Sequence, residues 1–510
     1  MLKEMLSNLP IFFFILLAIS GLISIIFLNP KTPISFIRIQ VGFSALPPLV
    51  AFIALIFSHE RQFVGPWYFD SLSWLLAFFV LTIGCIVQRY CVRYLLGDFA
   101  YRKYFALLTF TTTAASVTWI SNDFRLLLVC WGATLLGLTF LIGLKKEWVV
   151  TKNAAKTSAR LFAMSWGAFL VAIVWLSQAT GEWQLSQALT LNSLSQLESW
   201  EKTCINLLLM IAVIIPAAQW PFQRWLLDSV VAPTPISAVM HAGIVNAGGI
   251  ILTLFAPLFH GSIAQMALLI FTSISVLMGT GIMLVQVDYK RQLVGSTIAQ
   301  MGFMLIQCAL GAYTAAIIHA ILHGLFKSTL FLQSGSVLHY HGSGFYIKKA
   351  LTPLSILTGS GVGILTGVGF WFTSHGETYQ LVSAFILGWS ITLAWIQLVS
   401  FGIGIKGRIV GFGVLVGGAI VYLSIHHLLF NVINETVQIS KQPPIIIAIL
   451  LILLLFFAIV IGTWLTRNQS TKYYAILYLW LVRLGEPKND VIESHPHYLT
   501  QLFTKGGKVL

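Results

Sequence analysis

Apolar runs of about 20 residues recur along the whole chain, and short segments between them carry most of the charged residues. A run of that length is what an α-helix needs to cross the hydrocarbon core of a bilayer. Transmembrane β-strands alternate apolar and polar positions over about ten residues, but runs such as residues 445–462 (IIIAILLILLLFFAIVIG) do not alternate. Since only helices and closed barrels satisfy every backbone group in lipid, the pattern predicts an all-α polytopic membrane protein.

The apolar windows predict about 14–15 transmembrane helices. They begin near residues 11, 39, 71, 101, 124, 158, 203, 235, 262, 293, 313, 352, 381, 409 and 444. The first window resembles a signal peptide in length, but no small-residue cleavage pattern follows it, so it is interpreted as the first span.

Composition excludes a set of soluble domains, because 9% of the residues are charged and 57% are hydrophobic, whereas soluble domains carry about a quarter charged residues. The net charge of +14 would indicate nucleic-acid binding in a soluble protein. No soluble segment combines a basic run with interleaved aromatic residues, so no nucleic-acid partner is expected. The protein is expected to be embedded in membrane lipid and to conduct protons or other cations.

Positive charges mark the cytoplasmic loops of membrane proteins, and here they follow the odd-numbered spans. The basic loops contain Lys31 and Arg38; Arg89, Arg93, Arg102 and Lys103; Lys145, Lys146, Lys152 and Lys156; Lys290 and Arg291; Lys348 and Lys349; Lys406 and Arg408; and Arg467 and Lys472. This alternation predicts a multi-pass protein of the cytoplasmic (inner) membrane, with its N-terminus outside and its C-terminus in the cytoplasm. Residues 472–510 are interpreted either as a cytoplasmic interfacial segment on which a soluble partner docks or as an unattached terminus.

The five cysteines form no C-x-x-C pair and lie in or beside apolar stretches. They indicate neither a disulfide framework nor a thiolate zinc site. No cofactor is therefore expected in this chain.

The eleventh span places three ionisable residues on one helix face. His319, His323 and Lys327 are four residues apart, so each lies about 40° around the helix from the previous one. A lone histidine in such a span is more often a satisfied core residue, and His-x-x-x-His can hold zinc, but no third ligand is near. The three together favour a proton pathway, in which Gly324 and Gly335, together with Ser328, Ser334 and Ser336, loosen the helix and let water or hydroxyl groups join the pathway.

The tenth span carries a weaker polar signal. Ser296, Gln300 and Gln307 form a stripe at helical spacing, which indicates either the same pathway or ordinary interhelical hydrogen bonds. Asp288 and Lys290 precede this span and are predicted to mark a cytoplasmic mouth, with a solvated charge cluster as the alternative.

A third signal lies where prolines interrupt two apolar runs. Pro216, Pro221, Pro233 and Pro235 predict breaks in the helices, and His241 then falls within a glycine-rich span. Broken helices beside buried ionisable groups are typical of ion sites in transporters.

Several segments resemble the proton-antiporter-like subunits of respiratory complex I and of multi-subunit cation/proton antiporters. The segments are QWPFQRWLLDSVVAPTPISAVMHAG, DYKRQLVGSTIAQMGFM, HAILHGLFKSTLFLQSGSV, YFDSLSWLLAFFV and RYLLGDFAYRKYF. The third resembles the family's broken-helix motif. The resemblance implies two inverted five-helix repeats with interrupted helices, His241 linking the half-channels, and His319, His323 and Lys327 in the second one. The implied divisions are N-terminal helices 1–100, a first half 101–260, a second half 261–400, C-terminal helices 401–471 and a tail 472–510.

The chain departs from that family's pattern at two positions of the first half. The glutamate that usually follows the tryptophan of CWGATLLGL is Gly132, and a lysine is usual where Pro216 stands. The segment GFWFTSHGET resembles a later motif and places His375 where a lysine is usual. The first half is therefore expected to lack the family's Glu/Lys pair.

These departures, the length of 510 residues and the segment HAGIVNAGGIILTLFAPL resemble the DabB family, the membrane subunits of energy-coupled inorganic carbon accumulation complexes. The resemblance implies a proton- or cation-conducting transporter subunit, not an enzyme, that drives a DabA-type partner. That partner would be a large cytoplasmic zinc-binding, carbonic-anhydrase-like subunit, so zinc is expected there. The alternatives are a subunit of a complex I-like NADH:quinone oxidoreductase or cation/proton antiporter, and a membrane anchor that conducts nothing.

Overall fold

The computed structural model describes residues 7–58, 61–259, 263–334, 353–373, 378–400, 404–437 and 443–486. The helices of this part are α1 Leu9–Leu28, α2 Ile37–Ser44, α3 Leu46–Phe57, α4 Ser71–Tyr94, α5 Tyr101–Trp119, α6 Phe124–Ile142, α7 Val149–Thr180, α8 Leu185–Ala188, α9 Leu191–Ser195, α10 Ser199–Ile214, α11 Arg224–Asp228, α12 Thr234–Ala242, α13 Ala247–Leu254, α14 Ile263–Val285, α15 Tyr289–Ala309, α16 Tyr313–Ser334, α17 Pro353–Thr373, α18 Thr378–Ala394, α19 Gly404–Ile433, α20 Ile445–Arg467 and α21 Lys472–Gly485. A short hairpin pairs β1, Gln62–Val64, with β2, Trp67–Phe69, in antiparallel register.

The predicted all-α membrane architecture is confirmed. Every apolar window coincides with helix, and within the described residues 12 helical stretches are long and apolar enough to cross a membrane. The other three windows correspond to α5, α10 and α15; α10 has 16 residues, and α5 and α15 carry more polar side chains. The inverted relation of two five-helix repeats stays a prediction.

Acidic residues begin several of these helices, because a carboxylate accepts the free N–H groups of a first turn. Asp70 accepts from Ser73 N at 2.8 Å, and Asp123 accepts from Arg125 N at 2.8 Å. Asp288 accepts from Arg291 N at 2.9 Å and so fixes the start of α15.

The proline-rich region breaks the helices as predicted. Helix α10 ends at Ile214, and the chain is irregular until α11 begins at Arg224. Pro235 lies in the first turn of α12, where its missing N–H costs nothing. A second break follows at Gly243, where one turn of 3-10 helix, Ile244–Asn246, separates α12 from α13.

The core and the periphery of the molecule differ in composition and burial. Helices α12 and α13 are central, since 89% of residues in this span are buried, whereas α19 and α20 have 6% and 11% buried. The peripheral helices are apolar on all sides, which is typical of a surface that contacts lipid. Helix α21 packs on the end of α14, with Leu481 against Gly281 and Gly485 against Gln286.

Candidate functional site

The side chain of Lys327 on α16 is 1% exposed. Its Nζ donates hydrogen bonds to Ser296 Oγ at 2.8 Å and to the Leu293 carbonyl oxygen at 3.1 Å, both on α15. Both acceptors are neutral. A neutral amine keeps two N–H donors, so Lys327 can give up a proton and retain both bonds.

His241, in the last turn of α12, is also 1% exposed. Its Nδ1 lies 3.0 Å from Thr297 Oγ1, and the Thr297 hydroxyl donates to the Leu293 carbonyl at 2.9 Å. Because a hydroxyl has one proton, Nδ1 of His241 is assigned as the donor to Thr297. The Phe331 ring stacks on the imidazole at a centroid distance of 4.2 Å and an interplanar angle of 19°, which holds the ring in place.

One carbonyl oxygen thus joins the two ionisable residues. The Leu293 oxygen accepts from Lys327 and from the Thr297 hydroxyl; a carbonyl has no proton to pass on, so these bonds position the two residues. Neither Thr297 nor this carbonyl is predicted from the sequence. The only sequence signal for Thr297 is its position next to Ser296 in the polar stripe, and a backbone carbonyl has no signal at all.

His323 and His319 extend the row along α16. Their ring centroids are 6.0 Å apart. His323 is buried, and within the described part of the chain its Nε2 has no hydrogen-bond partner. His319 is partly exposed and lies beside Phe303, at 5.6 Å between ring centroids. The structure therefore arranges the three predicted residues in order along one helix face, with Lys327 on the same turn of α15 as the Thr297 partner of His241.

Helix α16 is continuous from Tyr313 to Ser334, so the predicted loosening does not occur at Gly324 or Ser328, whereas Gly335 and Ser336 lie outside the described residues. The Ser328 hydroxyl donates to the Leu325 carbonyl at 3.0 Å. Gly324 instead permits close packing: a Cβ there would lie 2.9 Å from the Ala242 carbonyl oxygen and 2.5 Å from Phe79 Cζ. Asn246 Nδ2 completes this contact by donating to the carbonyls of Ala242, at 2.6 Å, and Ala320, at 3.1 Å.

Gly324→Ala is therefore expected to destabilise the protein by about 1–3 kcal/mol, the cost of overpacking. Gly167→Ala on α7 is the matched control, because a Cβ at Gly167 would meet no atom within 4 Å, and there alanine is expected to stabilise by up to about 1 kcal/mol. Thermal unfolding of the two purified variants tests this. Equal unfolding midpoints would contradict the close approach of α16 to the helix break.

The other predicted residues lie elsewhere. Gln300 and Asp288 are exposed. Lys290 Nζ donates to the Ala232 carbonyl at 3.3 Å. Lys290 also lines a cleft of about 470 Å³, together with Lys145 and Asp98. The side chains of Lys145 and Asp98 form an ion pair at 3.3 Å. Lys290 is one helical turn before Leu293, so this cleft is close to the Lys327 end of the row. His375 lies outside the described residues.

The departures in the first half have structural counterparts. A Cβ at Gly132 would lie 2.8 Å from Trp166 Nε1, and that indole donates to the Leu128 carbonyl at 3.0 Å, so a tryptophan packs against the place of the expected glutamate. Pro216 is in the irregular segment after α10. Among the described residues, no three His, Cys, Asp or Glu side chains are grouped as a metal site; the lack of a cofactor in this chain stays a prediction.

The fold and the buried row define the class of protein. Residues 121–405 match the family described as NADH:quinone oxidoreductase/Mrp antiporter, TM. The Mrp complex from Dietzia sp. DQ12-45-1b has a similar fold, with a TM-score of 0.63 at 21% identity, over 97% of this chain and 62% of that one. The chain is therefore an antiporter-like membrane subunit.

Comparison over the whole length identifies the particular family. The chain is 57% identical over 499 residues to the probable inorganic carbon transporter subunit DabB of Bacillus subtilis (strain 168), covering 98% of this chain and 99% of that protein. It is 32% identical over 275 residues to NADH-quinone oxidoreductase subunit L of Mycobacterium tuberculosis (strain CDC 1551 / Oshkosh), and this match covers 53% of this chain and 43% of that protein. The chain belongs to the DabB family, which confirms the family predicted from its motifs.

Proposed function

We propose that this chain is the proton-conducting membrane subunit of an inorganic carbon transporter, and that proton flow through it drives CO2 hydration or bicarbonate accumulation by a bound partner. Family membership supports the substrate class. The observation that carries the conducting role is the pair of buried ionisable residues Lys327 and His241, which are held by hydrogen bonds to neutral oxygens on the same turn of α15. Buried ionisable residues are costly in a membrane protein and mark ion pathways.

The pathway has a direction in this proposal. A proton enters near the cleft at Lys290, reaches Lys327, and is exchanged with His241 or passed along α16 to His323 and His319. His319, which is partly exposed, is the far end of the row.

The driving force is sufficient for the proposed coupling. One charge that crosses 100 mV releases about 2.3 kcal/mol. Each 1.4 kcal/mol or so changes an equilibrium ratio tenfold. The released free energy can therefore shift the ratio of bicarbonate to CO2 in a reversible hydration by several tens of fold.

The partner in this proposal is a DabA-type cytoplasmic subunit that carries the zinc and the carbonic-anhydrase-like chemistry. The name of the Bacillus subtilis relative describes a transporter subunit, which supports a complex of several chains. In this proposal the cleft at Lys145 and Lys290 faces the cytoplasm, the N-terminus is outside and the C-terminus is inside; the positive charges of the loops support this orientation.

The two other candidate functions are less well supported. The match to NADH-quinone oxidoreductase subunit L covers 43% of that protein, against 99% for the carbon transporter subunit. A membrane anchor that conducts nothing would explain Gly132 and Pro216 but not a buried lysine hydrogen-bonded to neutral oxygens.

Uptake by the assembled complex is expected to stop when the proton gradient is collapsed. The complex is co-expressed in a host that lacks carbonic anhydrase, and accumulation of labelled inorganic carbon is measured with and without a protonophore. Collapse of about 100 mV should lower the accumulation ratio several tens of fold. Uptake that survives the protonophore would favour the anchor, and sensitivity to a sodium gradient alone would replace protons as the coupling ion.

A further inference from the structure

A second, smaller cavity of about 50 Å³ lies beside the helix break at Gly243. It is enclosed by α4, α5, α6 and the segment from α12 to α13, with apolar walls that include Phe79, Ala115, Leu138 and Ile250. None of the described residues that line it is charged. The cavity therefore does not suit an ion, because a charge taken out of water into such a space carries a large desolvation cost.

Two polar atoms in this wall have no partner. Trp131 Nε1 and Asn246 Oδ1 are buried without a hydrogen bond in the described structure, and both residues are 1% exposed. Asn246 uses its amide nitrogen on α12 and α16, which leaves the oxygen free. Buried polar atoms normally have a partner, so one N–H donor and one carbonyl acceptor remain for an occupant.

The threonine hydroxyls of the wall supply no further donor. Thr112 donates to the Leu108 carbonyl at 2.8 Å, and Thr134 donates to the Cys130 carbonyl at 2.9 Å. A water molecule needs a cavity volume of about 10–15 Å³. The volume of about 50 Å³ therefore admits a molecule of about three heavy atoms. A buried water molecule requires two to four polar partners. The apolar walls offer one donor and one acceptor, which is the smallest number that a water molecule needs.

We propose that this cavity binds carbon dioxide, an inference that rests on the proposed function. The molecule is linear, uncharged and of the right size. Its terminal oxygens accept a hydrogen bond, as Trp131 offers, and its electron-poor carbon attracts a carbonyl oxygen, as Asn246 offers. Ala242 and Gly243 also line the cavity, so the bound molecule contacts the segment that carries His241.

The test compares two leucine substitutions on α5 in the full complex. Ala115→Leu fills the cavity, whereas Ala114→Leu is the control because Ala114 is the adjacent residue and does not line it. Ala115→Leu is expected to raise the CO2 concentration for half-maximal uptake about tenfold, which corresponds to about 1.4 kcal/mol, and Ala114→Leu to leave it unchanged. Equal values for the two assembled variants would overturn the proposal.

Trp131→Phe keeps an aromatic side chain but removes the N–H together with the five-membered ring, and it is expected to raise the CO2 concentration for half-maximal uptake less than Ala115→Leu does. Crystals of the wild-type complex held under CO2 pressure should show elongated density between Trp131 and Asn246; an ordered water that CO2 does not displace would overturn the proposal. These outcomes are separate from the proposed function. Uncoupler-sensitive uptake in the wild type tests that function alone, whichever molecule occupies the cavity.

Discussion

Lys327→Met is expected to abolish carbon accumulation while the complex still assembles. Methionine retains the length and apolar stem of the lysine but has no proton to exchange, and the hydrogen bonds to Ser296 and Leu293 are lost. A positioned proton-transfer group contributes about 100-fold or more to a rate, so accumulation is expected to fall by at least that factor. Uptake of labelled inorganic carbon measures the loss, and co-purification of the partner subunit measures assembly.

Two further variants separate proton exchange from other roles of the lysine. Lys327→Arg retains a positive charge that cannot be given up, so it is expected to be as inactive as Lys327→Met. Lys156→Met, at an exposed position on α7, is the matched control and should behave as wild type. Active Lys327→Arg would show that a fixed charge suffices, and active Lys327→Met would exclude Lys327 from the pathway.

The fold followed from the sequence because the bilayer imposes one dominant physical requirement. Continuous apolar runs predicted the helices. The prolines at 216, 221 and 235 predicted the breaks, because the missing N–H and the fixed φ of a proline act locally. The spacing of His319, His323 and Lys327 predicted their shared helix face, because the geometry of an α-helix is also local. Each of these properties depends on neighbours in the chain alone.

The connection between helices could not be predicted in this way. It depends on how α15, α16 and the break at Gly243 pack, and the central acceptor is a backbone carbonyl that any residue at Leu293 would supply. Helical spacing put Gln300 in the pathway with Ser296, but Gln300 lies on the exposed face. Gly324 was interpreted as a source of flexibility, whereas in the structure it is a point of close contact with Ala242.

The same packing argument yields a prediction for Thr297, the residue that pattern analysis missed. Thr297→Val replaces the hydroxyl by a methyl group, so the side chain keeps its shape but His241 loses the partner of its Nδ1 and Leu293 loses one donor. Uptake is expected to fall by about 100-fold, the lower end of what a proton-transfer group contributes, because the imidazole of His241 is no longer held in position by Thr297.

Thr297→Ser distinguishes the hydrogen bond of the hydroxyl group to His241 from a packing role of the side chain. Serine restores the hydroxyl without the methyl group, so it should recover most of the uptake that valine loses, whereas a purely structural role would make the smaller serine as harmful as valine or worse. Ser296→Ala is the companion variant: Lys327 retains the Leu293 carbonyl, so its loss should be smaller than that of Thr297→Val. Wild-type uptake by Thr297→Val would mean that proton transfer does not need His241 held by Thr297, and the pathway would then run along α16 through His323 alone.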